Sequence, residues 1–180
     1  MHEDRFYPAA DLAQAIGVRR AFLCLNDLIQ LNPDDAQAYL LRGNLHDEIG
    51  ELGLAILDYN RSISLKPTAD GYNKRSAAHS DQMEYQKAAK DAAKAVSLDP
   101  NLMLAYVNRA LAYAALFRDE EAEMDKRRAS ELGFDGVYLT EMIEGIQAEV
   151  VLPLSLGLPF PYPTSSNGES TSSPTKISGD

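Results

Sequence analysis

The chain has 180 residues, of which 45% are hydrophobic and 24% are charged, a balance typical of one folded domain. Its formal net charge is −10, which disfavours binding to the phosphates of nucleic acids or to anionic membranes and is easier to reconcile with a basic or apolar partner. A single cysteine, Cys24, cannot form an internal disulfide. Since the start also lacks a secretory signal and no apolar run is long enough for a membrane span, we expect a cytoplasmic protein.

The first 31 residues predict a shortened leading repeat. Residues 1–7 show no pattern and are expected to be disordered. Pro8 suits the first turn of a helix, so a short helix is predicted over Ala9–Ala15, ended by Gly17. A second helix is predicted over Val18–Leu31, because its apolar residues recur at helical spacing.

One pattern then recurs along the middle of the chain. Alanines and leucines return at separations of 34, 33 and 34 residues: Ala21, Ala55, Ala88 and Ala122, and Leu31, Leu65, Leu98 and Leu132. A fixed period in this range is typical of stacked helical repeats. It favours a binding scaffold over an enzyme.

Each full repeat begins with a helix that has an aromatic residue, a small residue four positions later and a ring three positions after that. These triplets are Tyr39, Gly43 and His46; Tyr72, Ser76 and His79; and Tyr106, Ala110 and Tyr113. The three positions share one helical face, and the small residue allows another helix to come close. The second helix of each repeat contains one of the recurring alanines, and in two repeats a proline, Pro67 or Pro100, follows its end.

This pattern resembles the tetratricopeptide repeat over roughly Pro8 to Asp135, including the stretches MEYQKA at 83–88 and VSLDP at 96–100. The resemblance implies an all-α fold: an α-solenoid of stacked antiparallel helix pairs, wound as a right-handed superhelix, with a C-terminal capping helix. The departures are local. The second full repeat is one residue short, Phe134 replaces the usual proline, and tyrosine stands at the first aromatic position where tryptophan is frequent.

The last part of the chain changes character twice. Apolar residues from Leu139 to Val150 follow helical spacing and predict the capping helix. From Val151 onward prolines forbid a helix and favour an extended, then disordered, tail. A further hypothesis is that the apolar part of this tail, Val151–Pro163, folds back over the groove. The predicted organisation is a disordered segment 1–7, a repeat domain 8–150 (shortened repeat 8–35, repeats 36–68, 69–102 and 103–135, capping helix 136–150) and a disordered tail 151–180.

The chain has none of the usual catalytic or phosphate-binding motifs, so we expect neither an enzyme nor a cofactor. His46 and His79 have acidic residues beside them, a combination that could suggest a metal site. Their equivalence in the repeat instead indicates two core histidines on separate helices, and no metal site is predicted. Arg42, Arg75 and Arg109 also recur. They form either a basic ladder for an acidic partner or, as we favour, packed stems whose heads meet carboxylates of a neighbouring repeat.

In the family that the chain resembles, the concave surface holds an extended peptide or a helix of a partner protein. That resemblance implies a partner-binding groove on the first helices of the repeats. Its main residues would be Gln37, Leu40, Asn44, Asp47, Asn73, Lys74, Ala77, Leu104, Val107, Asn108 and Leu111, flanked by Glu48, Asp70, Ser80, Asp81 and Ala115. One end of this set is polar and acidic and the other is largely apolar, and its asparagines suit a peptide backbone.

One subfamily clamps the terminal carboxylate of heat-shock chaperones with lysine, asparagine and arginine at set groove positions. The corresponding residues here include Leu40, Asn44, Lys74, Leu104 and Asn108, so two expected cations are leucines and this interpretation is not favoured. The leading prediction is a cytoplasmic adaptor or scaffold with a protein or peptide partner and no nucleic acid or membrane. The alternatives are a self-associating, homo-oligomeric module and an accessory subunit of an enzyme complex.

Overall fold

The computed structural model describes the backbone of residues 9–155 and the side chains of residues 16–151. Within this range the chain forms eight α-helices and no β-strand, which confirms the all-α prediction. The helices are α1 (Ala9–Leu31), α2 (Ala36–Glu48), α3 (Leu52–Leu65), α4 (Ala69–Asp81), α5 (Tyr85–Leu98), α6 (Met103–Ala115), α7 (Asp119–Glu131) and α8 (Gly136–Ser155).

Side-chain caps begin several of these helices. The carboxylate of Asp35 accepts hydrogen bonds from the backbone N–H groups of Gln37 and Ala38 at 2.9 and 3.1 Å, and the hydroxyl of Thr68 accepts one from Gly71 at 3.1 Å. Such a cap satisfies N–H groups that have no partner within the helix. The first helix of the first two full repeats therefore starts where the preceding turn supplies a side-chain oxygen, whereas α6 begins after Leu102 without such a cap.

The turn between the two helices of a repeat has the same backbone geometry three times. Gly50, Met83 and Phe117 occupy equivalent positions with φ of 78°, 59° and 57°. In each case the next residue donates its N–H to the carbonyl five positions earlier, as Glu51 does to His46 at 2.8 Å. This is the Schellman ending, in which one left-handed residue reverses the chain.

The helix pairs stack so that the first helices lie on the inner side. Within residues 9–155, α2 contacts α4 and α4 contacts α6, whereas no comparable contact joins α3 to α5 or α5 to α7. The first helices are therefore closer together than the second helices, and the stack curves around them. We call the exposed side of α2, α4 and α6 the concave face.

The recurring alanines of the full repeats are buried between packed helices. Ala55 and Ala88 are completely buried and Ala122 is 3% exposed, each on the second helix of its repeat. A larger side chain at these positions would separate the packed backbones. The structure thus confirms the interpretation of the repeat as a packing pattern.

Two predicted helix boundaries were wrong. Helix α1 continues through Gly17, where a break was expected; an isolated glycine costs a helix only about 1 kcal/mol, so it does not have to end one. Helix α8 continues to Ser155 through Pro153, although an extended segment was expected from Val151. Pro153 has no N–H to donate to the carbonyl four residues earlier, so the helix passes through it with one backbone hydrogen bond fewer and ends two residues later.

The disordered segment expected at 1–7, and the part of the predicted tail after Ser155, lie outside the described residues. Residues 156–163 of the segment expected to fold back over the groove lie there too. None of the eight described helices combines the length and the apolar character that crossing a lipid bilayer requires.

A concave candidate binding surface

A tyrosine, an arginine and an aspartate form the same cluster in each full repeat. Arg42, Arg75 and Arg109 lie over the rings of Tyr39, Tyr72 and Tyr106, with 5.6, 5.4 and 5.6 Å between guanidinium carbon and ring centroid. Each guanidinium also makes two hydrogen bonds of 2.6–2.8 Å to a buried carboxylate sixteen residues later, on the second helix; these are Asp58, Asp91 and Asp125. The three tyrosines thus have like surroundings, as a stacked repeat requires.

Two of these arginines, Arg42 and Arg75, join repeats as well as helices. The Nη1 of Arg42 donates to Asn26 on α1 at 2.8 Å, and that of Arg75 donates to Asn60 on α3 at 2.6 Å. The carboxylate partner was expected in a neighbouring repeat. It lies in the same repeat, and for Arg42 and Arg75 an asparagine makes the contact with the preceding repeat. Bidentate pairs of this kind fix the angle between the two helices of a repeat, so they stabilise the helix packing. The guanidinium groups are therefore not available as a basic ladder for a partner.

The two histidines lie beside the same arginine–aspartate pairs. The Nδ1 of His46 lies 2.8 Å from Glu51 and that of His79 lies 2.7 Å from Glu84. The Nε2 of each ring lies 3.9 Å from the aspartate of the arginine pair. Each ring has its own two carboxylates, as expected for core histidines on separate helices. Over the described side chains, no group of three potential ligands is arranged to hold a metal ion.

The polar half of the concave face lies on α2 and α4. Asn44 is half-buried, and its Oδ1 accepts a hydrogen bond of 3.0 Å from the hydroxyl of Tyr59, whose ring is completely buried. This contact was not predicted, because it depends on a tyrosine that only the first full repeat has at that position. Asn73 is 5% exposed and accepts a hydrogen bond of 2.8 Å from Asn108 on α6. Two of the three candidate asparagines thus tie helices together, and Asn44 has its oxygen occupied.

Carboxylates converge on this half of the face. Partial burial raises the pKa of Asp47, and the negative charge of Asp81 raises it further, while Lys74 acts in the opposite direction. Burial raises the pKa of the Tyr59 hydroxyl, and the charges of Asp47, Asp70 and Glu48 add to that effect. Both pKa shifts are caused first by burial and then by the negative charges that share this partly enclosed surface with few positive ones.

The apolar half of the concave face is covered by α8. Val107 is 4% exposed and packs in a cluster with Leu139, which is completely buried, and the partly buried Leu111, Met142 and Ile143 join them. Further along α6, Ala115 packs with Val150 and Tyr85. The capping helix therefore occupies the surface where the sequence suggested either a partner or the tail.

The remaining predicted groove residues divide by exposure. Gln37 and Leu104 are exposed, while Lys74 and Ala77 are half-buried on α4. Leu40 is 5% exposed and packs against Ala55, Tyr59 and Ala78, so its side chain is core. The surface left open to a partner is centred on Gln37, Asn44, Asp47, Glu48, Asp70, Lys74, Ala77 and Asp81.

Comparisons with known proteins agree with this architecture. The family model of the tetratricopeptide repeat matches residues 36–68. The chain is 36% identical over 101 residues to small glutamine-rich tetratricopeptide repeat-containing protein 2 of Saccharomyces cerevisiae, covering 52% of this chain and 29% of that protein. It is 28% identical over 109 residues to sperm-associated antigen 1 of Mus musculus, covering 61% of this chain and 12% of that protein.

A solved structure has the same arrangement of helices. The first tetratricopeptide domain of Spaghetti, bound to the HSP90 peptide SRMEEVD, superimposes with a TM-score of 0.58 at 26% identity, covering 64% of this chain and 93% of that one. The chain spans less than a third of the length of the curated relatives it matches, 12 to 29%. The matched repeat at residues 36–68, the 33- to 34-residue period and the similar helical arrangement together support a protein of the tetratricopeptide repeat family.

Proposed function

We propose that the chain is a non-enzymatic adaptor that holds a segment of a partner protein on the polar half of its concave face. The proposal rests on one observation: this surface is partly exposed and is carried by helices that are held in fixed positions. Its side chains are partly exposed, yet they stand on helices whose relative positions are set by three bidentate arginine–aspartate pairs. A preformed surface loses little conformational entropy when it binds a segment, which favours recognition without any covalent step.

A peptide complex of a similar domain supports the proposal. The domain of Spaghetti that shares this helical arrangement is bound to a seven-residue peptide. A second solved domain, TPR2B of yeast Sti1, is in complex with an Hsp70 peptide and has a TM-score of 0.55. At 24% identity that second similarity concerns the fold alone. A cytoplasmic location remains a prediction from the sequence.

The test is to select binding peptides from a random library and to map where they bind. We expect peptide-dependent NMR shifts of backbone amides in α2 and α4 and few in α3 and α5. Ala77→Gln enlarges a half-buried side chain on the concave face and should weaken the selected peptides about tenfold by obstruction. Ala93→Gln makes the same change on α5 and is the matched control. Equal binding by both variants, with shifts on α3 and α5, would reject the groove.

A second candidate is self-association through α1. No preceding repeat covers this helix in residues 9–155, and it exposes four large apolar side chains: Ile16 (46%), Leu23 (57%), Leu28 (43%) and Leu31 (84%). Apolar exposure of this kind is frequent at interfaces between copies. Light scattering over a range of concentrations decides the question, because a constant monomer mass excludes self-association.

A further inference from the structure

The charges on the concave face are unbalanced, and the imbalance lies on the part that α8 leaves open. Four acidic side chains stand there: Asp47 and Glu48 on α2, and Asp70 and Asp81 on α4. Only Lys74 opposes them, so the formal charge of this group is −3 (one positive and four negative). We call these five residues the acidic face.

Other positive charges of the same helices are engaged elsewhere. Arg42, Arg75 and Arg109 are the remaining lysine or arginine residues of α2, α4 and α6, and each is paired with a buried aspartate of the second helix. Helix α8, which covers the apolar half, has three glutamates and no basic residue. No lysine or arginine of these four helices other than Lys74 is therefore available to neutralise the acidic face.

The carboxylates of the acidic face also act on one another. The pKa of Asp47 is raised by its partial burial and then by the charge of Asp81. The pKa of the Tyr59 hydroxyl is raised by burial and then by the charges of Asp47, Asp70 and Glu48. Carboxylates held close together without enough counter-charge destabilise the free protein. A bound positive charge would relieve that repulsion, whereas a bound negative charge would increase it.

The peptide held by the similar domain of Spaghetti is acidic overall. The peptide SRMEEVD held by the domain of Spaghetti contains three acidic side chains and one basic one. On the acidic face of this chain, those carboxylates would meet like charges. Leu40 and Leu104 stand where the chaperone-tail clamp has cations. The sequence therefore also predicts that this chain does not bind such an acidic peptide.

We propose that the segment recognised on this concave face is basic, with lysine or arginine side chains that pair with Asp47, Asp81 and their acidic neighbours. This inference rests on the proposed peptide-binding function. Its occupant is a lysine- or arginine-rich segment of a partner protein. The half-buried amide of Asn44, between Gln37 and Asp47 on α2, can donate to the backbone of such a segment.

The experiment measures two peptides of equal length against the full chain by fluorescence anisotropy. One is SRMEEVD, and the other is SRMKKVK with an amidated C-terminus, in which each acidic side chain is replaced by lysine. We expect the basic peptide to bind at least about tenfold more tightly, and its affinity to fall steeply as salt is raised.

A pair of double variants locates the effect. Asp47→Asn/Asp81→Asn should weaken the basic peptide about fivefold or more, because it removes two of the pairing charges. Glu120→Gln/Glu123→Gln makes the same change in net charge on the exposed side of α7 and should change affinity less than about twofold. Equal losses in the two variants would mean that net charge alone attracts the peptide, which overturns the proposal.

The remaining outcomes separate this inference from the function on which it rests. Tighter binding of SRMEEVD, lost in Ala77→Gln, would overturn the basic segment and leave the groove in place. No binding of the basic peptide at about 1 mM, where a contact of ~4 kcal/mol would still be seen, would also overturn it. The proposed function fails on its own only if library-selected peptides of any charge bind away from α2 and α4.

Discussion

Gly43 shows how a single residue sets the distance between two helices. A Cβ added at this position would lie 2.7 Å from Cε1 and 2.8 Å from Cδ1 of the buried Tyr59 ring. The equivalent residues in the next two repeats are Ser76 and Ala110, and Ala92 and Lys126 stand at the positions equivalent to Tyr59. Only the first full repeat therefore requires glycine, because only there does an aromatic ring fill the space.

Gly43→Ala is expected to destabilise the protein by about 2 kcal/mol, since neither the ring nor the packed backbone can yield without strain. Chemical denaturation monitored by circular dichroism measures the change. Gly53→Ala on α3 is the matched control, because nothing lies within 4 Å of the added methyl group. It should raise the free energy of unfolding by about 0.5 kcal/mol through its better helix propensity. The packing argument fails if the two variants are equally stable.

Asp47 illustrates a residue whose charge weakens the fold. The pKa of its carboxyl is raised in the folded protein by burial and by Asp81, so the folded state holds the proton more tightly than the unfolded state does. The stabilisation from this group is fully present below the unfolded pKa and is lost as pH rises through the folded pKa. The charge also lies in the last turn of α2, where the helix dipole disfavours an anion.

Asp47→Asn should therefore raise the melting temperature at pH 7, and the difference from wild type should shrink as pH falls towards about 3.5. Thermal melts at a series of pH values measure it. Glu120→Gln removes an acidic group from the first turn of α7, where the dipole favours it, and should not raise the melting temperature. A melting temperature for Asp47→Asn at or below that of wild type at pH 7 would contradict the assigned repulsion. A gain in stability accompanied by loss of basic-peptide binding is the expected signature of a functional carboxylate.

At the scale of the helical hairpin, the turn between the two helices has the same backbone geometry in all three full repeats but a different residue type in each. Gly50 adopts its left-handed φ without cost, whereas Met83 and Phe117 adopt it with a Cβ that clashes with the backbone. Both side chains are nearly half exposed, at 44% and 47%, so neither is held there by burial. The pattern of hydrogen bonds that closes the turn fixes the conformation.

Met83→Gly should stabilise the protein by roughly 0.5–1 kcal/mol, because relief of the left-handed strain exceeds the entropy that glycine adds to the unfolded chain. Gln82→Gly, one residue earlier at φ −84°, adds the same flexibility without relieving strain and should destabilise. Urea denaturation of the two variants at equal protein concentration gives the comparison. A loss of stability in both would mean that the side chain of Met83 matters more than its backbone.

The hairpin is also the scale at which the sequence was most informative. The period placed Tyr39, Tyr72 and Tyr106 in like surroundings, and the recurring alanines at helix contacts, because those features repeat and reinforce one another. The helix ends predicted at Gly17 and before Pro153 were wrong, because the helical turns around a single helix-breaking residue can outweigh its cost. Leu40 was assigned to the groove by its position in the repeat, and it is buried because Tyr59 and Ala78 leave a space that it fills.

Over the whole molecule, the position of α8 decides how much of the concave face is open. Its amphipathic pattern predicted a cap, but the pattern could not show which surface it caps. That depends on Leu139 meeting Val107 across more than thirty residues of chain, and on Gln147 reaching Asp119 on α7 at 2.8 Å. The apolar end of the predicted groove is therefore occupied by the chain itself, and the open part is acidic.

A stack of repeats is held together only by contacts between neighbours, so its end should open before its middle. Leu139 is completely buried between α8 and the concave face of α6, and Leu139→Ala should remove about 3 kcal/mol from the docking of α8. We expect amide exchange in α8 to accelerate strongly, exchange in α4 and α5 to change little, and a dye for apolar surface to bind at the uncovered Val107 and Leu111. Val137→Ala, at a side chain 72% exposed on the same helix, should leave all three measurements unchanged. If Leu139→Ala instead accelerates exchange uniformly from α2 to α8, the helices unfold as one unit and α8 is part of the cooperative core.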